Sequence, residues 1–282
     1  MTEDGSRRQI TVARLDELGI VPDTRLGQHF LLDDNLVRTA IRLARLAPED
    51  VVVEVGAGLG VLTAALAGSC AHVHAIEIDR RLEEALTLTL TPHRNVSLHW
   101  GDAMRLDLGA LAPPATAFVS NLPYHVSTPL VMESLGGVPS LRRWCVMVQR
   151  EVADRFFARP GSNAYGAVSA LLSLACRETG RHAVSRHVFA PPPRVDSTLL
   201  AFERAVGWPE LAPEWPWISR VVHGAFAQRR KTLANSLQNT GIATRPTVER
   251  YLVGQGRSSL ARAEELEPSE LAALALSLAD RG

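Results

Sequence analysis

Four short apolar runs in the first half of the chain each end at residues that could bind a ligand. The runs are VVVEV (51–55), VHAIE (73–77), VSLHW (96–100) and ATAFVS (115–120), and the polar or glycine residues at their ends are Gly56 and Gly58, Glu77, Asp102 and Asn121. If the runs are parallel strands, these residues meet at one edge of a sheet, where α/β proteins bind ligands.

The residue types at this edge predict a nucleoside ligand. Glycines at a spacing of two let the backbone turn tightly and approach a ligand. Glu77 can accept hydrogen bonds from both ribose hydroxyls, and Asp102 can accept from an exocyclic amine such as adenine N6. The loop has GxGxG spacing and no Lys or Arg, which points away from a pyrophosphate and towards S-adenosyl-L-methionine. The alternative is a plain tight turn with strand-capping acids.

The segment Asn121-Leu-Pro-Tyr124 suggests chemistry on an adenine amine. The lone pair of that nitrogen is delocalised into the ring, so the amine is a poor nucleophile. Hydrogen bonds from its N–H groups to the Asn121 amide oxygen and the Leu122 carbonyl would favour a more tetrahedral nitrogen. Pro123 stiffens the turn, and Tyr124 offers a face for an extruded base. The alternative is that the segment is only a turn.

In this part of the chain, strand patterns alternate with helix patterns. This alternation predicts a parallel sheet covered on both faces, which would bring the polar residues to one edge. Helices are expected to about Leu66, over 80–90 and from about Ser127. Further strands are expected at WCVMV (144–148) and as an antiparallel pair within 181–203. We therefore predict an α/β fold with three parts: a flexible arm (1–23), a Rossmann-like domain (24–205) and a small all-α domain (206–282). The stretch GWPELAPEWPW, near the start of the all-α domain, is predicted to be a linker.

The composition of the 282-residue chain excludes several classes of protein. No apolar run is long enough for a membrane span, and the charged N-terminus lacks a signal-peptide core, so we expect a cytoplasmic protein. The three cysteines are far apart, which predicts neither a metal site nor a disulfide. The formal net charge is zero, but residues 141–202 contain nine Arg against four acidic residues, a residue type suited to phosphates and bases.

The chain resembles the KsgA-type ribosomal RNA adenine dimethyltransferases, which are related to the Erm-type enzymes. The resemblance covers roughly 24–280. Its motifs are RLGQHFLLD (25–33), EVGAGLGVLT (54–63), IEID (76–79), GDAM (101–104), NLPYHVSTPL (121–130), VQREVADRF (148–156), VFAPPPRVDS (188–197) and FAQRRKTLANSL (226–237). It implies a Rossmann-like methyltransferase domain, a helical domain and a ribosomal RNA partner.

The resemblance also implies roles for individual residues. Asn121, Leu122 and Tyr124 would hold the target base, with Phe189 as a second stacking face or, alternatively, a packed core residue. His29 stands where relatives more often have Asn, and the role of His125 is open. Cofactor contacts would come from Gln28, His29, Leu31, Gly56, Glu77, Asp102 and Asn121, and Arg229, Arg230 and Lys231 would contact RNA phosphates unless they form a solvated basic face.

Three functions remain open at this point. The first is a monomeric housekeeping enzyme that dimethylates two adjacent adenines near the 3′ end of small-subunit ribosomal RNA, within a pre-30S particle. The second is an Erm-like enzyme that methylates another ribosomal adenine and confers antibiotic resistance. The third is a non-catalytic RNA-binding assembly factor, which the intact GxGxG, acidic and NLPY elements disfavour.

Overall fold

A computed structural model describes residues 17, 19–31 and 33–279 of the chain. The predicted N-terminal arm therefore lies mostly outside the described residues. No helix within these ranges is both long and apolar enough to cross a bilayer.

The centre of the fold is a mostly parallel sheet. The strands are β2 (Val51–Val55), β3 (His72–Glu77), β4 (Val96–Trp100), β5 (Ala117–Asn121), β6 (Arg143–Gln149), β7 (Cys176–Val184) and β9 (Ser197–Arg204). In the described part of the chain they form a seven-stranded sheet in the order β4-β3-β2-β5-β6-β9-β7. The four pairings among β2 to β6 are parallel, as predicted.

The central strands are continuous apolar runs because both faces of the sheet are covered. Val52, Val53 and Phe118 are each fully buried. The helices of this part are α1 (Asp34–Ala44), α2 (Val61–Ala67), α3 (Glu83–Leu90), α4 (Tyr124–Gly137) and α5 (Arg150–Phe156).

Helix α4 starts three residues earlier than expected from the sequence, directly after Pro123. A proline fixes φ and lacks an N–H group, so it suits a position just before a helix begins. Tyr124 is consequently the first residue of a helix rather than part of a loop. Its backbone position is therefore set by the strand β5 before it and the helix after it.

The final strand β9 runs antiparallel to β6, with Gln149 opposite Ser197. The start of β9 therefore lies at the edge where the parallel strands end. A separate two-stranded pairing joins β1 (Phe30–Leu31) to β8 (Phe189–Ala190), with Leu31 opposite Phe189. These two pairings bring the 185–197 segment to the edge where the predicted site residues lie.

Contacts divide the chain into two compact units. One runs to Ala153 and includes Glu178–Glu203, and the other contains Asp154–Arg177 and the chain from Arg204 onwards. The helices of the second unit are α6 (Ala167–Ala175), α7 (Trp208–Leu211), α8 (Trp215–Phe226), α9 (Leu233–Asn239), α10 (Arg245–Gly254) and α11 (Pro268–Ala279).

The division differs from the boundary at 205/206 that the sequence suggested. Helix α6 is strongly apolar and packs against α8 and α11, so the 154–177 segment belongs with helices far away in sequence. The predicted linker also differs, because most of GWPELAPEWPW is helical. Pro209 and Pro216 are the second residues of α7 and α8, within the first turn, where a missing N–H costs nothing.

Candidate active site

A pocket opens at the edge where the parallel strands end. It is lined by ten of the predicted residues: Gln28, His29, Leu31, Gly56, Gly58, Glu77, Asp102, Asn121, Leu122 and Tyr124. The described lining residues include three acids and neither Lys nor Arg. The pocket therefore suits a ligand that carries positive charge and no phosphate.

The glycine loop is shaped by backbone conformations that favour glycine. Gly56 and Gly58 have φ values of 81° and 60°, in the left-handed region that other residues adopt at a cost. A Cβ on Gly58 would lie 3.3 Å from the ring of Phe30. Both positions therefore favour glycine, because of their backbone conformation and, at Gly58, because of the limited space beside Phe30.

Glu77 ties this loop to the end of strand β3. Its carboxylate accepts hydrogen bonds from the backbone N–H groups of Gly58 (2.8 Å), Ile78 (2.9 Å) and Asp79 (2.9 Å). Burial raises the pKa of Glu77, the three hydrogen bonds oppose that rise, and the nearby Asp79 charge adds to it. Glu77 thus positions the loop and also lines the pocket.

Glu54 is a second acid of the pocket, and sequence reasoning assigned it no role. Its side chain is 1% exposed. Burial raises the pKa of Glu54 to about 8; the Thr63 hydroxyl opposes the rise and the Glu77 charge adds to it. Neither Glu54 Oε2 nor Thr63 Oγ1 has a partner with hydrogen-bonding geometry among the described residues. The signal in the sequence was an acid inside the apolar run VVVEV.

Asp102 lies at a more open part of the pocket, with a side chain 40% exposed. It accepts a hydrogen bond from the backbone N–H of Met104 at 3.0 Å. The guanidinium of Arg105 lies 3.5 Å from its other carboxylate oxygen. The carboxylate is therefore fixed in orientation and still accessible to a ligand amine.

Asn121 has a defined orientation. Its Nδ2 donates to the backbone carbonyl of His29 at 3.2 Å, so Oδ1 is the atom left to accept a hydrogen bond. The next residue, Leu122, is 2% exposed and donates its N–H to the Met147 carbonyl at 3.2 Å. The amide is thus held between a buried neighbour and the segment that contains His29.

Tyr124 is held by a residue that the sequence analysis did not assign. Its hydroxyl lies 2.7 Å from Oγ of Ser197, at the start of the antiparallel strand β9. The ring of His29 lies beside it, with centroids 5.6 Å apart and an interplanar angle of 31°. His29 Nδ1 lies 2.7 Å from the Pro191 carbonyl, which fixes that ring. His125 is exposed and lines the pocket.

Phe189 is buried, and Gln28 joins two segments at the pocket. Phe189 is 1% exposed and belongs to the buried core, as the packed-core alternative anticipated. It does not line the pocket in this structure, so its role as a stacking face stays a prediction. Gln28 accepts from the Asp23 backbone N–H and donates to Asp79, both at 2.7 Å, and so ties the segment before β1 to the end of β3.

The predicted RNA-binding residues lie in the second unit, in the loop after α8. Arg229 is anchored, because its Nη2 donates to the carbonyl oxygens of Asn163 at 2.6 Å and Tyr165 at 3.3 Å. Arg230 and Lys231 are exposed. The three cations therefore have different surroundings, which their adjacency in sequence did not reveal.

Among the described residues, no group of His, Cys, Asp and Glu has the arrangement of a metal site. The pocket residues suit a positively charged nucleoside ligand better than a metal ion. Glu54 offers a buried oxygen without a partner, and the remaining acceptors lie at successive strand ends. The groups that line the pocket therefore match the cofactor expected from the sequence.

Comparisons with known proteins agree on one family. The ribosomal RNA adenine dimethylase family matches residues 22–251. The chain is 45% identical to ribosomal RNA small subunit methyltransferase A of Rubrobacter xylanophilus, over 90% of this chain and 94% of that protein. It is 42% identical to the protein of the same name from Thermobifida fusca, over 92% and 91%.

Solved structures support the fold. A dimethyladenosine transferase from Plasmodium falciparum matches with a TM-score of 0.75 and 22% identity, over 90% of this chain and 98% of that one. The 23S rRNA methyltransferase ErmE matches with a TM-score of 0.64 and 23% identity, over 89% and 99%. The family match covers most of the chain, and the curated relatives align over almost their whole length. The chain therefore belongs to the ribosomal RNA adenine dimethylase family.

Proposed function

We propose that this protein transfers methyl groups from S-adenosyl-L-methionine to N6 of two adjacent adenines near the 3′ end of small-subunit ribosomal RNA. The observation that supports this most strongly is the juxtaposition at one sheet edge of an acidic, phosphate-excluding pocket and the fixed amide of Asn121. The family membership and the names of the curated relatives support the choice of substrate.

The pocket residues divide between the parts of the cofactor. Glu77, at the end of β3, would accept from the ribose hydroxyls, and Asp102, at the end of β4, from the adenine amine. The glycine loop gives the backbone a close approach to the ligand. Glu77 and Asp102 supply negative charge near a ligand that is cationic, whereas Glu54, whose pKa burial raises to about 8, offers a neutral carboxyl group at pH 7. Once bound, the cofactor supplies an electrophilic methyl group on a positively charged sulfur.

The chain's own residues prepare the attacking amine. Asn121 Oδ1 and the Leu122 carbonyl would accept hydrogen bonds from the two N–H groups of the target adenine. This draws the nitrogen towards tetrahedral geometry and aims its lone pair at the methyl group. Tyr124, locked by Ser197, offers its ring as a stacking surface for the extruded base. The methylated nitrogen is acidic and releases its proton to water, so catalysis rests on positioning and electrostatics.

Asn121→Ala tests the proposal directly. It should lower methyl transfer at saturating substrate by about 10²- to 10³-fold, as when one preorganised polar group is removed, while the affinity for S-adenosyl-L-methionine remains measurable by calorimetry. Asn239→Ala, in the second unit, is the matched control and should leave transfer unchanged. Undiminished turnover by Asn121→Ala would refute the amine-positioning role.

The substrate is tested by mapping methylated adenines on ribosomal RNA from cells with and without the gene, using mass spectrometry. Loss of two adjacent dimethyladenosines from the small-subunit RNA is the expected result. An intact small-subunit pair, with a methyladenine missing elsewhere, would instead indicate the Erm-like function. Unchanged methylation throughout would leave the non-catalytic assembly factor as the better description.

A further inference from the structure

Arg150 and Arg186 contact Asp196, just before the start of strand β9, and Arg194 precedes Asp196 by two residues. Arg150 donates its backbone N–H to the Asp196 carbonyl at 3.1 Å, and its guanidinium lies 4.0 Å from the Asp196 carboxylate. Arg186 donates its backbone N–H to the same carboxylate at 3.1 Å, and its guanidinium donates to the Arg194 carbonyl at 3.3 Å. We call Arg150, Arg186 and Arg194 the arginine cluster.

The sheet topology places this cluster beside the candidate active site. Arg150 follows the last residue of β6, at the edge where the pocket opens. Because β9 is antiparallel, its first residue, Ser197, lies at that same edge opposite Gln149. Ser197 also holds the Tyr124 hydroxyl at 2.7 Å. Ser197, which follows Asp196 in the chain, is therefore in direct contact with Tyr124, the proposed stacking residue.

The charges of the cluster and of the pocket are opposite. All three arginines are exposed, with the Arg150 side chain at 70%, and together they exceed the single charge of Asp196. The pocket lining holds the acids Glu77 and Asp102 and no described Lys or Arg. A nucleotide that inserts its base into the pocket must leave its phosphates outside, where the cluster lies.

We propose that the arginine cluster binds the backbone phosphates of the nucleotides that flank the target adenosine. This inference rests on the proposed function and adds an RNA contact surface on the catalytic unit, separate from Arg229, Arg230 and Lys231. Arginine suits this task because its guanidinium can bind phosphate with two parallel hydrogen bonds. Such contacts fix the position of the strand without reading its sequence.

The double variant Arg186→Gln/Arg194→Gln is the test. Each lost phosphate contact should reduce the slope of log affinity against log salt by roughly 0.7 to 0.9, so two contacts should reduce it by about 1.5. At physiological salt the same term weakens binding by roughly 10- to 20-fold. The KM for ribosomal RNA should rise accordingly, while kcat at saturating RNA stays near the wild-type value.

The matched control is Arg94→Gln/Arg142→Gln. Both control arginines are exposed and lie just before strands β4 and β6, at the opposite edge of the sheet. This variant removes the same charge and should leave the salt slope unchanged. Arg186→Lys/Arg194→Lys keeps the charge and should restore most of the slope, which separates phosphate binding from a local loss of structure.

Fluorescence anisotropy with small-subunit RNA across a salt series gives the slope, and methyl incorporation gives the kinetic constants. An unchanged slope in Arg186→Gln/Arg194→Gln, or an equal loss in the control, would overturn the inference. Absence of methyl incorporation by the wild-type protein would instead count against the proposed function. Failure of the two proposals can thus be told apart in one experiment.

Discussion

Glu54 should make the stability of the folded protein fall as the pH rises. In the folded state the pKa of Glu54 is raised from 4.5 to about 8 by burial, so between those values the folded chain holds a proton that the unfolded chain has released. The contribution of Glu54 to stability is therefore full below pH 4.5 and declines until the pH passes about 8. Each unit of pKa shift corresponds to ~1.4 kcal/mol. The total loss in the free energy of unfolding is therefore about 5 kcal/mol, comparable with the whole stability of many domains.

Urea unfolding at pH 5.5 and 7.5 measures this effect. Over two units within the window, Glu54 should contribute a loss of about 3 kcal/mol in the wild type. Glu54→Gln is neutral and similar in shape, so its free energy of unfolding should lack that contribution. Burial also lowers the pKa of His72 and of His99, with neighbouring histidines adding to the effect. Their contribution to pH dependence has the opposite sign, but it is common to both proteins and cancels in the comparison.

The matched control is Glu49→Gln, which removes an exposed carboxylate and should keep the wild-type pH dependence. The reasoning is refuted if Glu54→Gln loses as much stability between pH 5.5 and 7.5 as the wild type does. That result would mean that Glu54 is ionised in the folded protein and that solvent or neighbouring groups compensate its charge.

Three further variants test other residues that the proposals use. Ser197→Ala removes the partner of the Tyr124 hydroxyl and should raise the KM for RNA severalfold with little change in cofactor affinity; an equal change in both would argue for a general structural effect. Gly58→Ala forces a side chain into a left-handed backbone conformation and should lower the free energy of unfolding by about 1 to 2 kcal/mol, as measured by urea unfolding. Arg230→Gln/Lys231→Gln should reduce the salt slope of RNA binding by about 1.5, whereas an unaltered slope would identify a solvated basic face.

Sequence alone predicted the parallel strands and the order of the candidate site residues at their ends, because strand ends are local features. In an open α/β sheet, a glycine or an acid at the end of an apolar run, such as Gly56 or Glu77, lies at the edge where ligands bind. The same logic placed Asn121 after the fourth run, and the structure brings these residues into one pocket.

Features that depend on distant pairings were not predictable in this way. Nothing near Phe189 shows that its backbone pairs with Leu31 and that its ring is buried. The anchoring of Arg229 to Tyr165 likewise joins residues that are 64 positions apart. The predicted unit boundary differed for the same reason, since α6 finds its packing partners only in the folded chain.

The lock between Tyr124 and Ser197 has a consequence for synthesis of the protein. The two residues are 73 positions apart, so at 5–20 residues per second the ribosome needs roughly 4 to 15 s to add the second after the first. During that interval a nascent chain can pair β2, β3, β4 and β5, but its tyrosine has no partner. The strand ends that carry Glu77, Asp102 and Asn121 can thus come together before Tyr124 is fixed, whereas β1 cannot pair until β8 is made, late in the same interval. A chain truncated before Ser197 would be the nearest equilibrium counterpart of that nascent state.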